Sequence, residues 1–183
     1  ELTAALIDWL DTGDSPYTQI RTDNLDIPVG GAEEIHYQSL NPPYPCKNGL
    51  LETLEELALI KGFTPEIVRL ISPHLAINGS LRININTASR QVLMALDPEI
   101  DDNTAQTVID YRRQQPIRQI AQLEDALSQE TYAVLKTLAN LNQLGTTSRF
   151  YRIEATALVN DGSRRLSAEV DKQHNTLLFF KVN

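Results

Sequence analysis

The hydrophobic period of this chain changes once, and that change limits what it can fold into. Before Gly145 the apolar residues recur at helical spacing; from Tyr151 onward they alternate. Leu2, Leu6, Trp9 and Leu10 lie on one helical face, and Pro16 forbids the helix from continuing. Residues 50–60 form a leucine-rich segment ending at Lys61-Gly62, a basic last turn followed by a C′ glycine, and this predicts a strong helix. Thr64-Pro65-Glu66 reads as a new helix start that Ser72-Pro73 closes, with Ile67, Leu70 and Ile71 between them. A short extended piece is predicted over 81–85. Asn86-Thr87-Ala88-Ser89 then opens a helix carrying Val92, Leu93 and Leu96, and further helices are predicted from Asp101-Asp102 to Pro116, over 121–126 and over 131–141.

Beyond Gly145-Thr146-Thr147-Ser148 the pattern is that of strands. Tyr151, Ile153, Ala155, Ala157 and Val159 alternate with polar residues, Asn160-Asp161-Gly162 is a hairpin signal, and Leu166, Ala168 and Val170 alternate on the return. A turn near Gln173-His174-Asn175 leads to a third strand over 177–182. Three strands need a partner face. The predicted class is α+β: a helical domain over 1–145, with an irregular region over 11–48, followed by antiparallel strands over 146–183.

Length and composition exclude several classes. The chain has 183 residues, 16 Lys and Arg against 24 Asp and Glu, and a net charge of −8, a balance opposed to non-specific nucleic-acid binding. No run of roughly 18 apolar residues occurs, so nothing in this stretch is predicted to span a membrane. The single cysteine, Cys46, excludes an internal disulfide and a cysteine-based zinc cluster. His36, His74 and His174 lack metal-ligand spacing, and no nucleophile elbow, P-loop or dinucleotide fingerprint is present. No enzyme is read here. The chain starts at Glu1 inside a helical pattern, as though a preceding segment had been removed.

Two segments carry candidate chemistry. Asp8, Asp11, Asp14, Asp23, Asp26, Glu33 and Glu34 share the stretch 8–34 with one basic residue, Arg21. Asp8, Asp11 and Asp14 sit where a helix frays into a loop, a setting that suits an oxygen-ligated calcium ion or else a solvated acidic loop; the register is not that of an EF-hand. Ile83 through Ser89, a helix, a short hairpin, and Ala105 through Arg112 resemble the helix-hairpin-helix module of competence-type DNA receptors, placed here over 84–112. The hairpin, however, carries Asp97, Glu99, Asp101 and Asp102 and no glycine. Such a hairpin repels phosphate, so the module reads as a packing scaffold and competence-type DNA binding as the alternative function.

The order of blocks identifies a family. Residues 5–11 (Ala-Leu-Ile-Asp-Trp-Leu-Asp), 30–37 (Gly-Gly-Ala-Glu-Glu-Ile-His-Tyr), 40–44 (Leu-Asn-Pro-Pro-Tyr), 54–57 (Leu-Glu-Glu-Leu) and 85–89 (Ile-Asn-Thr-Ala-Ser) resemble, in that order, the minor pseudopilin K family of bacterial type II secretion systems. The resemblance implies a helical domain with helix-hairpin-helix (SAM-like) elements inserted into a pilin-like fold, of which the C-terminal strands are the closing part. It implies an N-terminal apolar helix anchoring the full protein at the periplasmic face of the inner membrane. It also implies assembly with minor pseudopilins I and J at a pseudopilus tip that exports folded proteins, without enzymatic activity. For calcium it implies Asp8, Asp11, Asp14, Glu33 and Glu34 as ligands, with Asp23 or Asp26 as substitutes.

Overall fold

The computed structural model describes residues 1–22, 25–77, 79, 81–160 and 162–182, with residues 20–22 and 25–28 as backbone only. The chain divides into two compact units, Glu1–Ile77 and Asn78–Asn183. The change from helices to sheet falls inside the second unit.

In the first unit, α1 (Leu2–Leu10) buries Ala4, Ala5, Asp8 and Trp9, and the backbone N–H of Asp11 donates to the Ile7 carbonyl at its end. A hairpin follows, β1 (Gln19–Thr22) with β2 (Leu25–Pro28), paired from Gln19 opposite Pro28 to Thr22 opposite Leu25. The sequence reading took this region as irregular. Its alternation spans four residues per strand, too short to stand out among prolines and aspartates. The short helix α2 (Glu34–Gln38) buries Tyr37. Ala5, Trp9, Ala32, Tyr37, Cys46, Leu57, Ile60 and Phe63 make the core, with the Trp9 and Tyr37 rings edge-on at 5.0 Å.

The helix predicted over 50–60 is a 3₁₀ helix over Leu54–Leu59. The reason lies in the spacing: Leu51, Leu54, Leu57 and Ile60 fall every third residue, and all four reach the core. A helix of three residues per turn keeps such a row on one side; an α-helix would rotate it away. Leu50 and Leu59 stay exposed. Gly62 then takes a φ of 85°, the left-handed conformation expected of a C′ glycine. Thr64 accepts the N–H of Ile67 to start α3 (Pro65–Ile71), which a 3₁₀ turn (Ser72–His74) closes.

The second unit begins with β3 (Ile83–Asn84), which pairs in parallel with β4 (Leu144–Gly145). Between them run α4 (Arg90–Met94), α5 (Asp102–Gln114), a 3₁₀ helix (Ile120–Leu123) and α6 (Gln129–Asn140). Ser89, Asp101 and Ser128 cap the three α-helices, each accepting a backbone N–H three residues on. The helix predicted over 121–126 is 3₁₀ for the same reason as before: Ile117, Ile120 and Leu123 are spaced by three and packed inward. Asn86 joins three distant segments. Its Nδ2 donates to the carbonyls of Ile117 (2.7 Å) and Thr146 (2.9 Å), and its Oδ1 accepts from the Ile117 N–H (2.8 Å). The Asn-Thr-Ala-Ser block therefore has a structural role, with Arg112 closing the Ile85 carbonyl at 2.6 Å.

The sheet follows the predicted alternation: β5 (Phe150–Val159), β6 (Gly162–Asp171) and β7 (Thr176–Val182) are antiparallel in that order. Register places Tyr151, Val170 and Leu177 in one cross-strand row, Ile153, Ala168 and Phe180 in the next, and Ala155, Leu166 and Val182 in the third. These three rows make one face apolar as far as Arg164, which lies opposite Ala157 on it. The other carries Arg152, Glu169, Glu154, Ser167, Lys181 and Arg165, interrupted by Phe179. A register shift at Glu169/Val170 absorbs one residue of β7.

Candidate functional site

Asp8 lies near the end of α1 and is fully buried. A buried carboxylate must be satisfied, and backbone amides do this. Oδ1 accepts the Tyr17 N–H at 2.9 Å and Oδ2 accepts the Ala32 N–H at 2.6 Å. Those two amides flank the hairpin, whose base continues through Val29 N–H to the Thr18 carbonyl and Gly31 N–H to the Tyr17 carbonyl. Asp8 thus ties α1 to both ends of the segment from Tyr17 to Ala32. Gly31 makes room for it: a Cβ there would collide with Asp8 Oδ2 and approach the Tyr17 nitrogen to 2.8 Å.

Glu33, two residues beyond Gly31, is 4% exposed, and neither carboxylate oxygen has a hydrogen-bond partner. Burial pushes its pKa above the usual glutamate value, and the charges of Asp8, Asp11 and Asp14 push it further the same way. The structure therefore brings four of the five predicted residues into one electrostatic neighbourhood. Asp11 and Asp14 are exposed; Asp11 Oδ1 accepts the Gly13 N–H at 2.8 Å.

Glu34 is turned to another task. Its Oε2 accepts the Cys46 N–H and its Oε1 the Gln38 side-chain amide, both at 2.7 Å, which fixes the proline-rich segment against α2. Asp23 and the side chain of Asp26 lie outside the described residues. As placed, no three His, Cys, Asp or Glu side chains among the described residues converge closely enough to hold a metal ion. Glu33 is a buried, unpartnered carboxylate facing further negative charge, and oxygen ligands of this kind are what calcium takes.

Gly31 and the amides of Tyr17 and Ala32 were missed by the sequence reading. The Gly30-Gly31 pair was visible there, but its reason, the approach of Asp8, is a contact across 23 residues that no local pattern carries. Cys46 is buried, its thiol 3.8 Å from the Asp8 carbonyl, and burial pushes its pKa up. A buried thiol of raised pKa is unreactive. His174 instead meets Asp171, whose carboxylate also accepts Arg149 and the Gln173 N–H. The Arg149 guanidinium, helped by His174 and that N–H, holds Asp171 well below the usual carboxylate range. The carboxylates of the turn before α5 are engaged locally. Asp97 accepts the Glu99 N–H, Asp101 the Thr104 N–H, and Asp102 pairs with Arg90 at 2.8 Å. No helix of the described residues is long and apolar enough to cross a membrane.

Comparison with known proteins gives a consistent result. Two family models, both described as type II secretion system protein K, match residues 1–79 and 83–145, most of the chain between them. The type II secretion system protein K of Aeromonas hydrophila is 26% identical over 176 residues, covering 92% of this chain and 49% of that protein. Its counterpart in Pseudomonas aeruginosa is 32% identical over 107 residues, 58% of this chain and 29% of that protein. The chain thus spans about half, or less, of the length of these relatives. A chain of the crystal structure of the GspK-GspI-GspJ complex from the enterotoxigenic Escherichia coli type 2 secretion system superposes with a TM-score of 0.61. That match covers 100% of this chain and 62% of the other at 17% identity, and it is a likeness of fold.

Proposed function

This chain belongs to the type II secretion system protein K family, and from that premise we propose that it is the helical domain and closing strands of a minor pseudopilin. The observation that carries the proposal is the order of parts. Two protein K segments run in succession through residues 1–79 and 83–145, and a three-stranded sheet with three apolar cross-strand rows on one face follows. Residues 1–145 are the inserted helical domain, with 84–112 a helix-hairpin-helix used for packing, and residues 146–183 close a pilin-like sheet. A helix of the full protein, the N-terminal membrane anchor, covers the apolar face. The mechanism is assembly, not catalysis. Apolar pilin surfaces bury against minor pseudopilins I and J, and the bulk of the helical domain ends the pseudopilus at its tip, on the periplasmic side of the inner membrane. The fold likeness to a chain of a complex of three such subunits supports this reading.

Calcium is the proposed ligand of the 8–34 region. Glu33, Asp11 and Asp14 offer it carboxylates, while Asp8 keeps its two amide bonds and shapes the loop. Bound there, the ion would supply the positive charge that this region lacks. Co-purification tests the functional assignment. The full protein containing this chain, co-expressed with minor pseudopilins I and J of the same cell, is expected to elute with both as one complex. Elution of the chain apart from both would overturn the assignment, as would its retention on duplex DNA at low salt.

A further inference from the structure

The sheet of the second unit is not mounted on its helices by a shared core. The buried apolar cluster of this unit runs from Ile85 to Leu144 and takes in no residue of β5–β7 among those described. The connection the structure shows is the strap 146–149, between the end of β4 and the start of β5. A strap this short, left unanchored, would let the sheet swing, because each of its residues keeps its backbone freedom.

The strap is anchored on both sides. Toward the helices, the Ile85 N–H donates to the Gly145 carbonyl (2.8 Å), Asn86 Nδ2 to the Thr146 carbonyl (2.9 Å) and Asn84 Nδ2 to Ser148 Oγ (2.8 Å). Asn84 is itself held, its Oδ1 accepting the Asn86 N–H at 2.9 Å. Toward the sheet, Tyr151 Oη donates to the Ser148 carbonyl at 3.1 Å and the Lys172 N–H to the Arg149 carbonyl at 2.9 Å. The Arg149 side chain adds the strongest tie. Its Nε donates to Asp171 Oδ1 and its Nη2 to Oδ2, a two-pronged charged pair that fixes the guanidinium plane. That plane also lies over the Phe150 ring, 4.8 Å from its centre. Asp171 is 3% exposed and accepts the Gln173 N–H at 2.9 Å, which attaches the pair to the β6–β7 turn. His174 Nδ1 lies 2.8 Å from Asp171 Oδ2 and 2.9 Å from Arg149 Nη2. One ring nitrogen cannot donate to the first and accept from the second at once, so His174 is accessory to the pair.

We propose that the Arg149–Asp171 pair locks a joint: engaged, it stiffens the 146–149 strap and fixes the orientation of the sheet on the helices; opened, it leaves the strap a swivel. Arg149 and Asp171 are positioning residues, holding an angle between two parts that each have their own packing and hydrogen bonds. The helix side of the strap is tied by neutral amides and the sheet side by a charged pair. That pair acts through side chains alone, so it can be removed without touching the helix core or the strand ladder. The inference rests on the geometry of the second unit and does not depend on the family assignment.

Spin labels on exposed positions of the two parts test it. Lys136→Cys on α6 and Thr156→Cys on β5 carry the labels, while Cys46 is buried and stays in place. Double electron–electron resonance then gives the distance distribution between them, expected to be single and narrow in the otherwise unchanged chain. Asp171→Asn turns an amide NH2 toward the guanidinium and should broaden the distribution about twofold or more, as the strap regains backbone freedom. Arg149→Gln should do the same. Arg149→Lys, which keeps the charge but not the two-pronged geometry, should fall between, and His174→Gln should leave the width unchanged. Backbone NMR shifts of β5, β6 and α4–α6 away from the strap are expected to be those of the parent, so that broadening reports on the joint. A broad distribution in the parent overturns the proposal, as does an Asp171→Asn distribution as narrow as the parent's. Broadening accompanied by loss of the native β5 and β6 shifts also overturns it, because Asp171 would then be a folding residue and not a lock.

Discussion

The same local device appears once in each compact unit, charged in the first and neutral in the second. In the first, Glu56 Oε1 accepts the N–H groups of Glu52 (2.7 Å) and Thr53 (2.9 Å) at the start of a 3₁₀ helix. In the second, Gln122 Oε1 accepts those of Arg118 (2.6 Å) and Gln119 (2.9 Å) at the start of the other. The difference extends to long-range ties. Asp8 and Glu34 staple the first unit through carboxylates, and Asn86 staples the second through an amide. Either chemistry can satisfy backbone groups, but the carboxylate version accumulates charge. Of the net −8, all resides in residues 1–77. The first unit should therefore respond to pH and to cations, and the helices of the second should be indifferent to both.

The largest expected effect breaks the carboxylate staple by sterics. Gly31→Val drives a side chain into Asp8 Oδ2 and the Tyr17 nitrogen, both rigidly held, and should cost about 3 kcal/mol in urea unfolding. Gly145→Ala is its counterpart: it meets the Arg82 guanidinium, the far end of a flexible side chain, and should cost no more than about 1 kcal/mol. Similar losses for the two would mean that the Asp8 carboxylate yields as readily as the Arg82 side chain.

Next comes Asn86→Ala, which leaves the Ile117 N–H and two carbonyls without their partner. A loss of about 2–4 kcal/mol is expected from the buried groups left unsatisfied. Because the staple is neutral, that loss should be the same at pH 5 and pH 8 in denaturant melts. A pH-dependent loss would remove the distinction between the units.

Glu33 gives an intermediate effect with a definite sign. Its pKa is raised in the folded chain, so the folded state binds the proton more tightly than the unfolded state does. Stability should rise as pH falls through the raised value toward the ordinary 4.5. Asp171 has the opposite sign: its pKa is lowered, so its contribution is present above the ordinary 3.8 and lost as pH falls below that value. Glu33→Gln should stabilise the calcium-free chain and abolish the first dependence while leaving the second. A Glu33→Gln chain less stable than the parent in chelator would contradict the reading of Glu33 as an uncompensated charge.

The smallest effect is expected for Glu56→Gln, since the second unit builds the same cap from Gln122. The Lys47 pairing that holds Glu56 below its ordinary pKa would go, but this half-buried pair is open enough to solvent for its charges to be screened. Thermal midpoints at pH 7 should nearly coincide.

What the sequence made legible was periodic or punctuated. The alternation of 151–159, Gly62 and the Thr64-Pro65 start each declare themselves within a few residues, and the structure has them; Asp161 of the predicted turn lies outside the described residues. Both 3₁₀ helices were read as helices, but not as 3₁₀, although the every-third-residue rows ending at Ile60 and Leu123 were there to be counted. The β1–β2 hairpin was too short to register. At the candidate site, the acidic residues were legible as a group but their division of labour was not. Asp8, Glu33 and Glu34 look alike in sequence; one is bonded to two amides, one is left bare, and one is spent on Cys46 and Gln38. That division depends on contacts spanning 9 to 24 residues, which local patterning does not encode.

The proposal that calcium is bound in the 8–34 region through Glu33 has a direct optical test. Trp9 is the only tryptophan; it lies 2% exposed in the core beside Asp8, so its fluorescence reports on the first unit alone. Thermal melts followed by that signal in millimolar calcium, in magnesium and in chelator should show a higher midpoint with calcium only. A native-state ligand at a hundredfold excess over Kd adds about 2.7 kcal/mol, and Glu33→Gln should lose that gain. Identical midpoints in calcium and chelator, or a rise that Glu33→Gln retains in full, would contradict the account.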